Sequence, residues 1–474
     1  MKIDIPSDIP PVDELGAVHF VGIGGAGLSA IARLMSQQGV SVSGSDASDS
    51  AVLRALRSEG IECHVGHDPA HLEGIDTVIA TTAVREDNVE IVEAQRLGLR
   101  LWPRSAGLRS VMEGRRTIAV AGTHGKTTTT AMLSCALIAA GAEPSFAIGA
   151  EVASLGANAR LGRGDLLVAE ADESDGAFLV YAPEGAIVTN VDADHLDNYG
   201  TVEAYAAAFD QFVTAVSGFI VLNADDPGAR ALAAAARLQG IEVLLAGFAD
   251  DADLRGRNLN VVGSSSTFSV ALRGVDLGPV RLAVPGAHYA QDALLALGAG
   301  LLLGEGVDLL VAGLAAYTGA NRRMQLLGGA GGLRVYDSYA HHPTEIRADL
   351  AAARAIAGTD RLVVAYQPHL VSRTRLYGVE MGHALAAADV VVVADIYLAR
   401  EDPDPTVTSA LIVDAVDSVG VGGPPAVAGG PVGQLHDVLL PMLRPGDLLL
   451  TLGAGDITAV GPRVLAALDP GEPA

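Results

Sequence analysis

A glycine-rich loop with a single lysine is the clearest chemical signal in the chain. The loop reads Gly-Thr-His-Gly-Lys-Thr from Gly122 to Thr127, between an apolar run at Ile118 to Ala121 and a helical stretch to Ala140. Backbone N–H groups in such a turn, with the N-terminus of the next helix, bind phosphate oxygens. Lys126 would offset phosphate charge and Thr127 would offer a hydroxyl to Mg²⁺. The alternative is an ordinary glycine turn that caps a helix.

The rarity of lysine adds weight to this interpretation. The chain has 31 basic residues, and only Lys2 and Lys126 are lysine. A compact ammonium with rotatable donors suits a phosphate group. A codon bias that favours arginine is the alternative explanation of the scarcity, but the internal lysine lies in the loop where such an ammonium suits phosphate.

A second glycine loop lies near the N-terminus. The G-x-G-x-x-G pattern of dinucleotide-binding folds is present here with its glycines at Gly22, Gly24 and Gly27, and Gly25 and Ala26 lie between the last two. Asp46 follows the next strand-like run and fits a ribose hydroxyl. A diphosphate is what such a loop binds, so NAD and a uridine nucleotide are both open from these residues alone.

Acidic segments follow strand-like runs further along the chain. EADESD, Glu170 to Asp175, comes after Leu166 to Ala169, and His195 lies in a later segment, TNVDADHLDNYG. Carboxylates at the carboxyl ends of parallel strands are suitable ligands for Mg²⁺. Solvated turns are the alternative for the aspartates of the later segment.

The elements that must position these residues form three α/β segments. Strand-like runs are expected at Val18 to Ile23, Val40 to Gly44, Thr77 to Thr82, Ile118 to Ala121, Leu166 to Ala169, Ile187 to Thr189, Phe219 to Asn223, Leu333 to Tyr336, Leu362 to Tyr366, Val390 to Ala394 and Leu448 to Leu452. Helical stretches separate them, which predicts parallel sheets. The predicted domains are residues 1–115, 116–318 and 319–474.

These motifs together resemble the Mur ligases, over nearly the whole chain. The family's phosphate loop GT-x-GK-[ST] is present from Gly122 to Thr127, and the form with His124 and a threonine run is similar to the alanine-adding branch. YDSYAHHPTEI, QPHLVSRTR and TLGAGDI are further family-like strings. The resemblance implies a Rossmann-like first domain, a P-loop ATPase-like central domain and a Rossmann-like third domain.

The same resemblance implies an activity. It is ATP-dependent ligation of L-alanine to the lactyl carboxylate of UDP-N-acetylmuramate through an acyl phosphate, in peptidoglycan synthesis, with ATP and Mg²⁺ required. Lys126, Glu170 and His195 would be catalytic, and Thr127, Glu170 and His195 would be metal ligands. The implied ATP-binding residues are Gly122, Thr123, His124, Gly125, Lys126, Thr127, Thr128, His288, Asp292, Arg322 and Asp337. The N-terminal glycines and Asp46 would bind the UDP substrate, and the amino acid would meet Tyr339, His341, His369 and Arg373.

Four positions depart from the family pattern. Tyr289 and Asp292 stand where the family has asparagine, Ser338 where it has aspartate, and Leu370 where it often has arginine. Asp292 can accept a hydrogen bond from an adenine amino group but cannot donate one.

Composition limits the remaining possibilities. A formal net charge of −25 argues against a general nucleic-acid binder, and two cysteines cannot form a disulfide framework. The chain shows neither a signal peptide nor a membrane span, so we expect a cytoplasmic protein, monomeric or homodimeric. Rival functions are a ligase that recycles a preformed peptide, an NAD-dependent oxidoreductase fused to a P-loop domain, and a nucleotide-sensing regulator.

Overall fold

The computed structural model describes residues 3–81, 84–174, 176–399, 401–419 and 423–469. The chain divides into two compact units. The first comprises Met1–Arg257, Ser269–Val280 and Gln291–Tyr317, and the second comprises Asn258–Phe268, Arg281–Ala290 and Thr318–Ala474. The three-domain boundaries at residues 115 and 318 remain a prediction.

The first sheet is a five-stranded parallel sheet of Rossmann type. Its strands are β1 (Val18–Val21), β2 (Val42–Asp46), β3 (Glu62–Val65), β4 (Thr77–Ala80) and β5 (Arg100–Pro103). Its helices are α1 (Ala26–Gln37), α2 (Ala51–Ser58), α3 (Val89–Leu97) and α4 (Arg104–Met112). The strand order is β3-β2-β1-β4-β5, and every neighbouring pair is parallel. The order reverses at β1, so the loop after β1 opens at the crevice where such folds bind nucleotides.

The central sheet has ten strands. They are β6 (Arg116–Ala121), β7 (Ser145–Val152), β8 (Ala157–Arg160), β9 (Leu166–Glu170), β10 (Gly185–Val188), β11 (Phe219–Asn223), β12 (Glu242–Gly247), β13 (Leu254–Val262), β14 (Ser265–Leu272) and β15 (Val275–Leu282). The helices are α5 (Lys126–Ala139), α6 (Leu196–Tyr199), α7 (Val202–Thr214), α8 (Pro227–Leu238), α9 (Ala287–Leu302) and α10 (Val307–Ala316). The strand order is β15-β14-β13-β12-β11-β10-β6-β9-β7-β8.

The third sheet has six strands. They are β16 (Gln325–Ala330), β17 (Leu333–Ser338), β18 (Leu362–Tyr366), β19 (Val390–Ala394), β20 (Ala426–Gly430) and β21 (Leu448–Leu452). The helices are α11 (Pro343–Ala357), α12 (Val371–Leu385), α13 (Ala410–Asp417), α14 (Leu435–Leu439) and α15 (Val460–Leu468). The order is β16-β17-β21-β18-β19-β20, with β16 antiparallel to β17 and the other pairs parallel.

Burial explains why the chain forms these strands. β6 is buried from Thr117 to Ala121, and β18, β19 and β21 are buried along their whole length. Strands covered on both faces read as continuous apolar runs, which is what the sequence shows. Because β6 lies between the parallel strands β10 and β9, the loops after all three meet at one edge of the sheet.

Short 3-10 helices occur at Val12–Glu14, Pro69–Leu72, Ala177–Val180, Val432–Gln434 and Asp456–Ala459. Among the described helices, none has both the length and the apolarity needed to cross a bilayer.

Candidate active site

The phosphate loop joins β6 to α5 and is shaped by two glycines. Gly122 has φ of +128° and Gly125 has φ of +82°, values that side chains other than glycine rarely adopt. A Cβ at Gly122 would lie 2.0 Å from Thr189 Oγ1, and one at Gly125 would lie 2.6 Å from Asp292 Oδ1. Asn190 holds the loop, since His124 N–H donates to its Oδ1 at 2.9 Å. Glycine at these two positions therefore allows both the positive-φ backbone of the turn and the close approach of Thr189 and Asp292.

Lys126 is the first residue of α5 and is folded back onto its own loop. Its Nζ donates to the carbonyl oxygens of Gly122 at 2.7 Å and Thr123 at 3.0 Å. The same Nζ lies 2.8 Å from Glu173 Oε2 in an ion pair, with the Glu173 side chain fully buried. A bound phosphate would compete for this ammonium with three acceptors that the protein already supplies.

Electrostatics keep Lys126 charged. Burial opposes the ammonium, but the carboxylates around it, Glu173 first, raise the pKa of Lys126 overall. For Glu173, burial is the largest effect and raises its pKa to about 7, against the attraction of Lys126. Asp172 differs, because Arg104 and Lys126 outweigh burial and lower its pKa. The loop thus holds one firmly ionised carboxylate beside one that titrates near neutrality.

Glu170 and Thr127 form an oxygen pair suited to a hard cation. Thr127 Oγ1 lies 3.0 Å from both carboxylate oxygens of Glu170, the last residue of β9. Gly149 N–H donates to Glu170 Oε2 at 2.6 Å, which fixes the carboxylate. Hydroxyl and carboxylate oxygens are the ligands that Mg²⁺ prefers. These two residues therefore fit the predicted metal.

His195 occupies a strained position immediately before α6. Its φ of +53° is left-handed, and its N–H donates to Asp194 Oδ1 at 2.7 Å. Its Nε2 lies 3.6 Å from Asp194 Oδ2 and 3.8 Å from Glu173 Oε1. Strained backbone of this kind is concentrated at functional sites. The structure therefore places His195 beside the carboxylate that pairs with Lys126.

The N-terminal glycine loop is built from the ends of β1 and β2. Gly22 has φ of +87°, and its N–H donates to Ser45 O at 2.8 Å. Asp46 Oδ2 accepts from Gly24 N–H at 3.0 Å, so this carboxylate holds the loop. Gly25 precedes α1 and Ala26 begins it, so the loop leads into a helix N-terminus.

Arg104 links this glycine loop to the acidic segment. A Cβ at Gly27 would lie 3.0 Å from Arg104 Nη1, and Arg104 Nη2 donates to Asp172 Oδ2 at 2.8 Å. Asp172 is in turn one of the carboxylates that act on Lys126. Within the first unit, the two glycine loops therefore approach the same short acidic segment.

Arg322 and Asp337 form an ion pair in the second unit. Arg322 Nε donates to Asp337 Oδ2 at 3.2 Å and Nη2 donates to Gly453 O at 2.5 Å. Asp337 is fully buried and also accepts from Thr451 and Thr458. Arg322 has φ of +58°, so its backbone too is left-handed. Asp337 thus orients the arginine.

Aromatic and histidine rings gather at the carboxyl ends of β17 and β18. The ring centroids of Tyr339 and His341 are 5.3 Å apart, and those of His341 and His369 are 5.7 Å apart. The Arg322 guanidinium lies 5.0 Å from the Tyr339 ring centroid. Arg373 lies in α12 and is buried.

His288 lies beside a buried carboxyl group of α11. Its Nε2 is 4.0 Å from Asp349 Oδ1, and Ser338 Oγ donates to the other oxygen of Asp349. Burial lowers the pKa of His288 to about 4 and raises that of Asp349 to about 7. Asp349 thus brings a carboxyl group to Ser338, where the sequence lacks the usual aspartate.

Comparison with known proteins decides the family. Residues 17–116 match the Mur ligase family catalytic domain, residues 120–300 the Mur ligase middle domain, and residues 322–455 the Mur ligase glutamate ligase domain. A UDP-N-acetylmuramate–L-alanine ligase from Nocardioides sp. is 56% identical over 474 residues, covering 99% of this chain and 100% of its own. The chain belongs to the Mur ligase family.

Solved Mur ligase structures share this fold. A UDP-N-acetylmuramate–alanine ligase from Thermotoga maritima is 29% identical with a TM-score of 0.82, covering 96% of this chain and 99% of its own. A murein peptide ligase from Psychrobacter arcticus is 24% identical with a TM-score of 0.74, covering 97% of this chain and 100% of its own. The predicted architecture of three α/β domains is confirmed.

Motif analysis of this Mur ligase found only part of the first unit's site. The structure gathers residues 122–128, Glu170 and Asp292 around one loop, and His195 near Glu173. It adds Glu173, Arg104 and Asn190, which the motifs did not single out. Glu173 lies within the quoted EADESD string, and its buried pairing with Lys126 depends on β6 and β9 being neighbours. Asp175 of that string lies outside the described residues.

Proposed function

We propose that this Mur ligase joins L-alanine to the lactyl carboxylate of UDP-N-acetylmuramate, with ATP converted to ADP and phosphate. The product would be UDP-N-acetylmuramoyl-L-alanine, a precursor for peptidoglycan. The observation that carries the proposal is the acidic segment between two nucleotide-type loops, with Lys126 on one side and Arg104 on the other. Full-length similarity to a UDP-N-acetylmuramate–L-alanine ligase supports the choice of substrates.

A carboxylate needs activation before an amine can attack it, because oxide is a poor leaving group. In the first step a lactyl oxygen attacks the γ-phosphorus of ATP, the bond to the β-phosphate oxygen breaks, and ADP leaves. In the second step the alanine nitrogen attacks the acyl carbon, phosphate leaves, and the nitrogen loses a proton. Positioning and charge stabilisation supply most of the catalysis in such transfers.

Lys126 would bind the phosphates by exchanging partners. Its ammonium stays protonated, and its present acceptors are two loop carbonyl oxygens and Glu173. When the γ-phosphate arrives, Nζ would turn from the carbonyl oxygens to the phosphate, while Glu173 keeps the charge at the loop. The N-terminus of α5 would add its positive dipole end.

Thr127 and Glu170 would hold Mg²⁺, with His195 as a proposed further ligand. The ion would supply charge neutralisation at the phosphate oxygens. Imidazole is a less usual Mg²⁺ ligand than oxygen, so His195 is the weaker member of the set. Its place beside Glu173 also suits it to orient that carboxylate.

The ring cluster of the third sheet would receive the amino acid. Tyr339, His341 and His369 lie together at the carboxyl ends of β17 and β18, where open α/β sheets bind ligands. Arg373 would pair with the alanine carboxylate, and Asp337 orients Arg322, which would offer its guanidinium to an anionic group of the substrates. His288 and Asp292, both on α9, would face the adenine.

A phosphate-release assay tests the proposal against its rivals. Purified protein with ATP, Mg²⁺ and UDP-N-acetylmuramate is given L-alanine, glycine, L-serine or a tripeptide in turn. Release that depends on UDP-N-acetylmuramate and is fastest with L-alanine supports the proposal, whereas preference for the tripeptide would establish the recycling ligase. Tight NAD binding without UDP binding would support the oxidoreductase, and the absence of turnover with every acceptor would support the regulator.

The proposal also covers the cellular compartment and the oligomeric state of the protein. We place the reaction in the cytoplasm, where ATP and nucleotide sugars are available. A monomer or homodimer is expected, and sedimentation at several protein concentrations distinguishes them.

A further inference from the structure

A cluster of histidines surrounds one buried glutamate at the first sheet, whereas the phosphate loop belongs to the central sheet. Glu90 lies in the first turn of α3, and its side chain is fully buried. His19 comes from β1, while His67 and His71 follow β3. We call these four residues the His–Glu cluster. The proposed ligation chemistry uses none of its side chains.

The contacts within the His–Glu cluster are short. Glu90 Oε1 lies 2.7 Å from His71 Nδ1 and 3.6 Å from His19 Nε2. Glu90 Oε2 lies 2.8 Å from His67 Nδ1 and accepts from Ser45 Oγ at 2.5 Å. Three imidazole rings thus direct a nitrogen at one carboxylate.

One of these nitrogens lacks a hydrogen-bond partner in the described part of the chain. His19 Nε2 is buried, and 3.6 Å to Glu90 is too long for a hydrogen bond. The other ring nitrogen, Nδ1, is 2.8 Å from Ser43 Oγ, so the ring is fixed with Nε2 facing Glu90. A buried polar atom without a partner is costly, and an oriented lone pair is what a metal ion accepts.

We propose that His19 Nε2, His71 Nδ1 and Glu90 Oε1 bind a divalent transition-metal ion of the Zn²⁺ class. The three ligand atoms all lie within 4.8 Å of one another. Zn²⁺ bonds of about 2.0–2.2 Å place tetrahedral ligand atoms roughly 3.3 Å apart. Relative to Glu90 Oε1, His71 Nδ1 would therefore move out from 2.7 Å by about 0.6 Å, and His19 Nε2 would move in from 3.6 Å by about 0.3 Å. Two histidines and one glutamate leave the fourth position for water or His67.

The types of ligand in the His–Glu cluster favour Zn²⁺ over Mg²⁺. Imidazole nitrogens favour Zn²⁺ and its neighbours, whereas Mg²⁺ prefers oxygen, as at Thr127 and Glu170. The His71 ring stacks on His64 with centroids 3.9 Å apart and planes 11° apart, so its orientation is fixed as well. The cluster is therefore chemically distinct from the proposed Mg²⁺ site.

The ion would also brace the N-terminal glycine loop. Ser45 donates to Glu90 through its hydroxyl, and its carbonyl oxygen accepts from Gly22 N–H at 2.8 Å and Ile23 N–H at 3.0 Å. A metal that fixes Glu90 would thus fix the end of β2 and the loop it supports. The proposal needs only the first domain and stands whether or not the chain is a ligase.

The test is metal binding by the full chain. Protein stripped with a chelator is titrated with Zn²⁺ by calorimetry in excess Mg²⁺, which would occupy the oxygen site. A separate stripped sample is titrated with Co²⁺ while visible absorption is recorded. We expect one tight equivalent of Zn²⁺, intense d–d bands of four-coordinate Co²⁺, and a higher thermal transition with Zn²⁺ bound. His71→Gln should weaken Zn²⁺ binding by about 100-fold or more.

Matched variants make the outcome decisive. His383→Gln removes an exposed histidine of α12 and should leave Zn²⁺ binding unchanged. His19→Gln alters a fully buried ring, so if that variant does not fold, His71→Gln, on a partly exposed ring, decides the matter. Binding that is absent, or equally tight in His71→Gln, would overturn the proposal and leave the cluster as a hydrogen-bond network.

Discussion

Replacing Lys126 by methionine tests the buried ion pair at the centre of the phosphate loop. Methionine keeps most of the stem but removes the ammonium that lies 2.8 Å from Glu173 Oε2. The Glu173 side chain is fully buried, so the variant leaves a carboxylate without its nearest cation. Removing one partner of a buried pair costs about 3–5 kcal/mol of unfolding free energy. Ligation should be abolished as well, because the phosphate would lose the same cation.

The size of this loss should depend on pH. Burial already raises the pKa of Glu173 to about 7 in the presence of Lys126, and removing the ammonium raises that pKa further. A carboxyl group whose pKa is higher in the folded state is tolerated at low pH, and stability falls as pH rises through that pKa. We expect the loss to grow as pH rises through about 7 and 8, and to reach its full size only above the raised pKa of the variant. Near pH 5 only about 1–2 kcal/mol should remain, from the two lost carbonyl contacts.

Urea denaturation without nucleotide at both pH values measures the effect. The double variant Lys126→Met, Glu173→Gln should regain most of the stability above pH 8 but no ligation. Arg96→Met, which removes the partner of Glu93 in an exposed ion pair, is the control and should stay close to the wild type. A Lys126→Met protein as stable as the wild type above pH 8, with no gain from the second substitution, would refute the ion pair.

Three further predictions follow from other contacts. Glu170→Gln should raise the Mg²⁺ concentration for half-maximal ligation by about 10-fold or more, since the Thr127–Glu170 oxygen pair loses its charge; an unchanged Mg²⁺ titration contradicts this. Arg373→Met keeps the buried stem and should raise the KM for alanine while KM for ATP stays constant; a lower thermal transition with normal alanine kinetics would indicate a packing role. Arg33→Met should cost about 1–3 kcal/mol in urea denaturation, because this buried guanidinium pairs with the partly exposed carboxylates of Glu59 and Glu151; a loss below about 0.5 kcal/mol would show that the pairs contribute little.

The sequence predicted the buried parallel strands best. The predicted bounds of β11, β18, β19 and β21 agree with the structure at both ends. Each is a continuous apolar run that is covered on both faces of its sheet, so the composition of the segment alone predicts a strand. The predicted strand from Thr77 to Thr82 is β4, Thr77–Ala80, and Thr82 lies outside the described residues.

Strands with alternating burial were missed. β13 alternates polar and apolar residues and is half exposed, and β14 and β15 follow it in the same sheet. A search for apolar runs passes over such strands, because only one face is buried. The same limit hid β14 and β15, whereas β12, Glu242–Gly247, is a buried apolar run that the sequence analysis did not name.

The residues of the candidate site also divide into those that the sequence predicted and those that only the structure shows. Lys126 and Glu170 were found because loop motifs are contiguous in the sequence. The Lys126–Glu173 pair, the Arg104–Asp172 pair and the carboxyl group of Asp349 beside Ser338 join residues that only the fold brings together. Ser338, which stands where the family has aspartate, is the clearest example. The carboxyl group beside it belongs to Asp349, which lies on a different element, α11.

The most direct test of the proposed reaction follows one oxygen atom. UDP-N-acetylmuramate carrying ¹⁸O in its lactyl carboxylate is incubated with ATP, Mg²⁺, L-alanine and the protein, and the released phosphate is analysed by mass spectrometry. Attack of the carboxylate on the γ-phosphorus predicts one ¹⁸O atom in each phosphate, in step with formation of UDP-N-acetylmuramoyl-L-alanine. Phosphate without the label, or ATP cleavage without the alanine adduct, would contradict the account.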